Sequence, residues 1–119
     1  MAITFSPRTE IETVTIAEAA SLSSAADLMG SVLVGIVTPA AWTAANLTFQ
    51  ASANGTIYNN LYDDSGNEVG ATAAVDRFIA FDSNANFQGV RWIKVRSGAS
   101  GAAVTQAAIR TLTLVARAI

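Results

Sequence analysis

The sequence predicts an all-β fold, an antiparallel β-sandwich of about eight strands in one domain. Three observations predict it. Short segments alternate apolar and polar side chains with a period of two, most plainly Leu47-Thr-Phe-Gln-Ala-Ser52 and Ile93-Lys-Val-Arg96, the periodicity of a half-buried strand. Turn residues, Asn-Gly at 54–55 and Asp-Asp-Ser-Gly-Asn at 63–67, punctuate these segments at close intervals. Nothing along the chain supplies the long helices that parallel βαβ connections would require.

Taken in order, residues 1–8 hold Pro7 and few core candidates. They read as an extended arm, so that residues 1–10 form an N-terminal arm and residues 11–119 a single sandwich domain. Residues 11–16 (Ile-Glu-Thr-Val-Thr-Ile) are β-branched almost throughout, which suits a pleated strand and costs χ1 freedom in a helix. The Ala-rich stretch 17–30 carries Ser21, Ser23, Ser24 and Asp27 as cap candidates and Gly30 as a stop; a helical turn near 25–29 and a loop both fit. Residues 31–37 (Ser-Val-Leu-Val-Gly-Ile-Val) are a short continuous apolar run closed by Pro39. This is the pattern of a strand buried on both faces, with Gly35 allowing a close approach.

In the segment 47–52, Leu47, Phe49 and Ala51 should face the core while Thr48, Gln50 and Ser52 face solvent or a neighbour. Asn54-Gly55 follows directly and predicts a type I′ hairpin returning through 57–62. After the turn at 63–67, a short strand fits within 68–75, and 77–81 (Arg-Phe-Ile-Ala-Phe) is a further strand ended by turn residues at 82–86. In 90–96, Ile93 and Val95 point inward, with Trp92, Lys94 and Arg96 outward. Residues 97–101 read as a flexible connection, and 110–116 (Arg-Thr-Leu-Thr-Leu-Val-Ala) as a last strand inside a sheet that ties down the C-terminus. Among two-sheet arrangements this spacing favours a jelly roll.

Composition narrows the function. The chain of 119 residues is 51% hydrophobic, much of it alanine, and only 13% charged. Its surface must therefore be built largely from Ser, Thr, Asn, Gln and Ala, which suits lasting contact with neighbours as well as a small neutral domain. The absence of cysteine removes disulfides and thiol chemistry, and the absence of histidine removes the commonest general base and zinc ligand. An enzyme is not expected, nor is a cofactor. The start of the chain lacks the marks of a signal peptide and no segment approaches a membrane span, so synthesis in the cytoplasm without membrane contact is expected. Net charge is −2, unevenly placed. Through Asp76 eight acids face Arg8 (−7), and from Arg77 onward six bases face Asp82 (+5). Pairing within the fold is expected ahead of pairing between subunits, and the acidic total disfavours nucleic acid.

Candidate chemistry is sparse. Asp63 and Asp64 are neighbours, which suits capping of backbone N–H groups in a turn and not the sharing of a proton. The run 63–68 offers oxygen ligands but lacks the glycine and closing glutamate of a calcium loop. Trp42, Tyr58, Tyr62 and Trp92 could form a sugar-stacking platform, against a bland role in packing. Trp92, set among Arg91, Lys94 and Arg96, has the make-up of an anchor at a protein interface. The expected interface residues are Phe5 and Arg8 in the arm together with Trp42, Arg91, Trp92, Lys94 and Arg96.

Several segments carry a resemblance. Val-Gly-Ile-Val-Thr-Pro-Ala-Ala-Trp-Thr-Ala-Ala-Asn-Leu-Thr-Phe-Gln-Ala-Ser at 34–52, Asn-Gly at 54–55, Leu-Tyr-Asp at 61–63, Arg-Trp-Ile-Lys-Val-Arg-Ser-Gly at 91–98 and Arg-Thr-Leu-Thr-Leu-Val at 110–115 resemble small structural proteins encoded among the head genes of tailed bacteriophages and prophages. That resemblance, over about two-thirds of the chain, is to proteins similar in kind to capsid decoration or cement proteins. It implies a virion protein on the outer capsid surface, commonly a homotrimer, that bridges subunits of the major capsid protein. The same segments are also similar to carbohydrate-binding jelly rolls. That keeps open a glycan- or receptor-binding module of a tail, baseplate or head appendage.

Overall fold

The computed structural model describes residues 9–81 and 85–118. Ten strands are present among them: β1 (Thr9–Ile16), β2 (Ala26–Asp27), β3 (Val32–Val37), β4 (Leu47–Ser52), β5 (Tyr58–Asn60), β6 (Gly70–Ala71), β7 (Phe78–Ala80), β8 (Trp92–Ala99), β9 (Ala102–Ala103) and β10 (Arg110–Arg117), with a 3₁₀ turn at Ala85–Phe87. They form two antiparallel sheets. One has the order β1-β10-β3-β7, and the other the order β2-β8-β4-β5, with β6 on β4 and β9 on β8. Successive strands cross between the sheets, β1 to β2 to β3 to β4 and later β7 to β8 to β10. This winding is a jelly roll, which leaves β3, β4, β8 and β10 with partners on both sides.

The alternation seen in the sequence decides which side chains meet between the sheets. Val14, Ile16, Leu33, Ile36, Leu112 and Leu114 come from the four-stranded sheet, and Leu47, Phe49, Ile93 and Val95 from the other; all are essentially inaccessible to solvent. Each contributes about 1.5–3 kcal/mol by leaving water. One end of this core is aromatic: Phe49 meets Phe87 edge to face at 5.3 Å and Phe81 at 6.0 Å, while Phe81 and Phe87 stack at 5.0 Å. The last strand does lie inside a sheet, between β1 and β3, and Gly35 does allow a close approach. A Cβ there would stand 2.8 Å from a ring carbon of Phe78 and 3.0 Å from the Ile79 carbonyl oxygen.

Several expectations change. The first strand starts at Thr9, two residues earlier than its β-branched run. The stretch 17–30 forms no helical turn but lies extended along β8: Ser97 N–H donates to Ser21 O, Ser23 N–H to Val95 O, and Leu28 N–H to Arg91 O, while Ala26 and Asp27 pair with Ile93 and Trp92. The open edge of β8 offers a run of backbone partners, and this outweighs the helix propensity of alanine. Asn54-Gly55 does not make a type I′ turn, because only Gly55 has a positive φ (80°). Instead Ser52 Oγ accepts from the N–H groups of Asn54 and Gly55, and Asn54 Oδ1 accepts from those of Thr56 and Ile57. Side-chain oxygens thus stabilise a wider loop, and the return strand begins at Tyr58. The expected flexible connection at 97–101 is mostly strand: β8 runs to Ala99 and turns through Ser100-Gly101 into β9.

Candidate functional site

The side of β8 and β4 that faces away from the core presents the residues singled out in the sequence. Because Ile93 and Val95 are buried inward, Trp92 and Lys94 point outward, and register extends this surface sideways. Trp92 is opposite Asp27 and Ser52, Ser52 opposite Tyr58, Lys94 opposite Gln50, and Gln50 opposite Asn60. The outcome is a slab of aromatic, cationic and amide side chains across β2, β8, β4 and β5.

Its cations are held in place. The Arg91 guanidinium lies 4.5 Å from the centre of the Trp92 ring, and Lys94 Nζ lies 4.4 Å from that of Tyr58; each contact is worth about 0.5–1 kcal/mol at an exposed site. Arg91 also makes a two-pronged pair with Asp27, Nε to Oδ1 at 2.9 Å and Nη2 to Oδ2 at 3.2 Å. Hydrogen bonds from Arg91 and from the backbone N–H of Met29 hold the Asp27 carboxyl below its usual range, and Asp27 raises Arg91 in turn. Trp92 is half-buried because the hairpin loop leans on it. A Cβ on Gly55 would stand 3.0 Å from Cε2 and 3.2 Å from Nε1 of the indole, so that glycine is needed both for its φ and for the contact.

The other expected interface residues are placed differently. Phe5 and Arg8 lie outside the described residues. Trp42 sits in the β3–β4 connection, partly buried against the core and donating Nε1–H to Ala45 O at 3.0 Å; it stands at the opposite end of β4 from Trp92 and does not join this surface. Arg96 is on the outward side but only 7% exposed, contrary to its expected role at an interface. The side chains around it close over it: Thr48 Oγ1 and Asn60 Oδ1 accept from its guanidinium, and Glu68 faces it at 3.6 Å. Two of the bases thus pair within the fold, Arg91 with Asp27 and Arg96 with Glu68. Tyr58, grouped with Trp92 in the sequence as a possible stacking platform, joins this surface, and Asp27 and Gly55, which the sequence did not place there, complete it.

The carboxylates near the 63–67 turn are occupied by the fold. Asp63 Oδ1 accepts from Ser65 and Asn67 N–H, as expected for a capping aspartate, and Glu68 Oε1 accepts from Ser100 N–H. An open cleft of about 480 Å³ passes both residues and reaches Phe81 and Phe87. Among the described residues no group of three or more acidic side chains could hold a metal ion. Among the described residues no helix is long and apolar enough to cross a membrane.

No family model and no curated protein sequence matches the chain. Among solved structures it is similar to the crystal structure of the SPBc2 prophage-derived protein YomS, with a TM-score of 0.55 at 14% identity and 99% of each chain covered. At that identity the likeness concerns the fold, which the two share from end to end.

Proposed function

We propose that this chain is a structural protein of a bacteriophage particle, of the capsid decoration kind, which binds the outer surface of the head and stabilises the shell without catalysing a reaction. The observation that carries this reading is the slab around Trp92: two aromatic rings, each with a cation fixed over it, on the face of a rigid sheet. An aromatic body with a pre-ordered cation loses little side-chain entropy on docking and is the usual make-up of an energetic centre in a protein interface. The full-length likeness to a prophage-derived protein supports the setting, and the sparsely charged exterior fits permanent contact with capsid subunits. Many copies on one shell would make modest contacts additive in their effect.

A second reading, a glycan- or receptor-binding module of a tail, baseplate or head appendage, draws on the same Trp92 and Tyr58 with the amides of Gln50 and Asn60. Occupancy of the rings favours the first. Arg91 and Gly55 lie against Trp92 and Lys94 lies against Tyr58, where a sugar would need a bare ring face.

The test is co-sedimentation of the purified protein with assembled head shells, beside an array of host glycans. Saturable binding to shells, lost in Trp92→Ala and Arg91→Ala with the fold intact, is expected. Glycan binding lost in the same variants, with no affinity for shells, would move the protein to the second reading.

A further inference from the structure

We propose that Asn54 is a site of spontaneous covalent modification, at which the backbone nitrogen of Gly55 attacks the side-chain carboxamide while the Ser52 hydroxyl passes the proton. Asn54 alone among the asparagines precedes a glycine, and it is exposed in the loop between β4 and β5. Bonding of the next residue's nitrogen to Cγ closes a five-membered imide. Glycine hinders that nitrogen least, because it carries no Cβ.

The loop holds the reacting groups on one hydroxyl. Ser52 Oγ accepts from Gly55 N–H at 2.8 Å and donates to Asn54 Oδ1 at 3.1 Å. It therefore touches both the proton that must leave the nucleophile and the oxygen on which negative charge develops. That oxygen also accepts from the N–H groups of Thr56 and Ile57, each at 2.9 Å. Backbone donors already aimed at a carbonyl oxygen strengthen as it becomes an oxyanion, and so favour the transition state over the ground state. Ser52 is only 5% exposed and lies in β4 opposite Tyr58 on one side and Trp92 on the other, so the relay is fixed by the sheet.

The step balances without an oxidant or a metal. A bond forms between Gly55 N and Asn54 Cγ; the nitrogen's proton goes to Ser52 Oγ, and the Ser52 hydrogen goes to Oδ1, which leaves the serine unchanged. The tetrahedral carbon then collapses. Solvent carries the Oδ1 proton to Nδ2, the Cγ–Nδ2 bond breaks, and ammonia departs. Water adds to one of the two imide carbonyls: opening at Cγ gives aspartate, and opening at the backbone carbonyl gives isoaspartate, whose main chain runs through Cγ.

The product acts on the Trp92 surface, whatever that surface binds. A Cβ on Gly55 would stand 3.0 Å from Cε2 of the indole, so the loop has no slack there. Isoaspartate lengthens the main chain by one carbon directly before Gly55, and the ring or the loop must move. The modification is a slow, one-way change in the shape of this surface.

Peptide mapping by mass spectrometry after incubation of the folded chain at neutral pH tests this, with an isoaspartyl methyltransferase counting the isoaspartate. A synthetic peptide of residues 50–60 supplies the same chemistry without the fold. Asn54 should convert at least as fast in the folded chain as in the peptide, while the exposed Asn59 keeps its amide. The near-ultraviolet circular dichroism of tryptophan should change in step with conversion. Ser52→Ala, checked for fold by far-ultraviolet circular dichroism, should convert about tenfold more slowly, as loss of a proton relay requires, and Ser52→Thr should restore the rate. A folded chain that keeps its Asn54 amide while the peptide reacts overturns the proposal, as does conversion of Asn59 at the same rate. Conversion in folded Ser52→Ala as fast as in wild type overturns the relay.

Discussion

Arg96 and Glu68 face each other under the outer surface of the six-stranded sheet, Nη1 to Oε2 at 3.6 Å, with side chains only 9% and 17% exposed. Glu68 Oε2 is buried without a hydrogen bond among the described residues, so the guanidinium is what compensates its charge. Removing one member of such a pair leaves the other uncompensated, at about 3–5 kcal/mol, whereas replacing both by apolar groups costs far less. Arg96→Ala should therefore lose about 3 kcal/mol in urea unfolding. The double change Arg96→Met with Glu68→Leu should be more stable than the sum of its single changes. Equal and additive losses would show that the pair is not coupled.

A second buried polar group joins three connections. Gln106 is 1% exposed; its Nε2 donates to Thr43 O and Ser97 Oγ, and its Oε1 accepts from Thr43 N–H and Arg110 Nε–H. Its backbone bonds Ala19 and Ala20 in addition. In Gln106→Leu the volume stays similar while the Thr43 groups lose their partners, a cost of about 2–3 kcal/mol. Hydrogen exchange should show the Thr43 amide deprotected before the strands are.

These two residues mark where the sequence stops being legible. The period-two alternation placed Ile93 and Val95 inside and Trp92 and Lys94 outside, because side-chain direction in a strand is a local property; Arg91, which precedes the strand, joins that surface through its contacts with Trp92 and Asp27. Whether an outward position is covered is not local. Arg96 obeys the alternation, yet it is buried by Asn60 at the end of β5 and by Glu68 in the connection that follows it, both far from it in sequence. Gln106 had no signal at all, being one polar residue in an Ala-rich stretch whose meaning comes from Thr43 and Ser97. The same applies to 17–30, where composition allowed a turn of helix and the free edge of β8 decided otherwise.

Gly55 links the hairpin to the Trp92 surface. Gly55→Ala puts a Cβ about where the indole stands and keeps a φ of 80° that alanine adopts only under strain. Together these should cost about 1–3 kcal/mol. The ring must shift to make room, so the near-ultraviolet circular dichroism of tryptophan should change while the far-ultraviolet spectrum does not. An unaltered aromatic spectrum would show that the loop yields and leaves Trp92 in place.

The pair between Asp27 and Arg91 gives a dependence on pH whose direction is fixed. Asp27 is held below its ordinary value of 3.8, first by the hydrogen bond from Arg91 and then by that from Met29 N–H. A carboxyl depressed in the folded state binds its proton more readily when unfolded, so its contribution is complete above the ordinary value and is lost as pH falls through the depressed one. Arg91 is raised from an already high value and keeps its charge throughout. Both groups are exposed and the effect is accordingly small. Asp27→Asn should be less stable than wild type near neutrality, and the gap should close as the pH is lowered below 3.8. Paired urea titrations across that window check it, and a gap that widens in acid would refute the assignment. The same substitution frees the guanidinium over Trp92, so at neutral pH it should also weaken whatever binding the Trp92 surface supports.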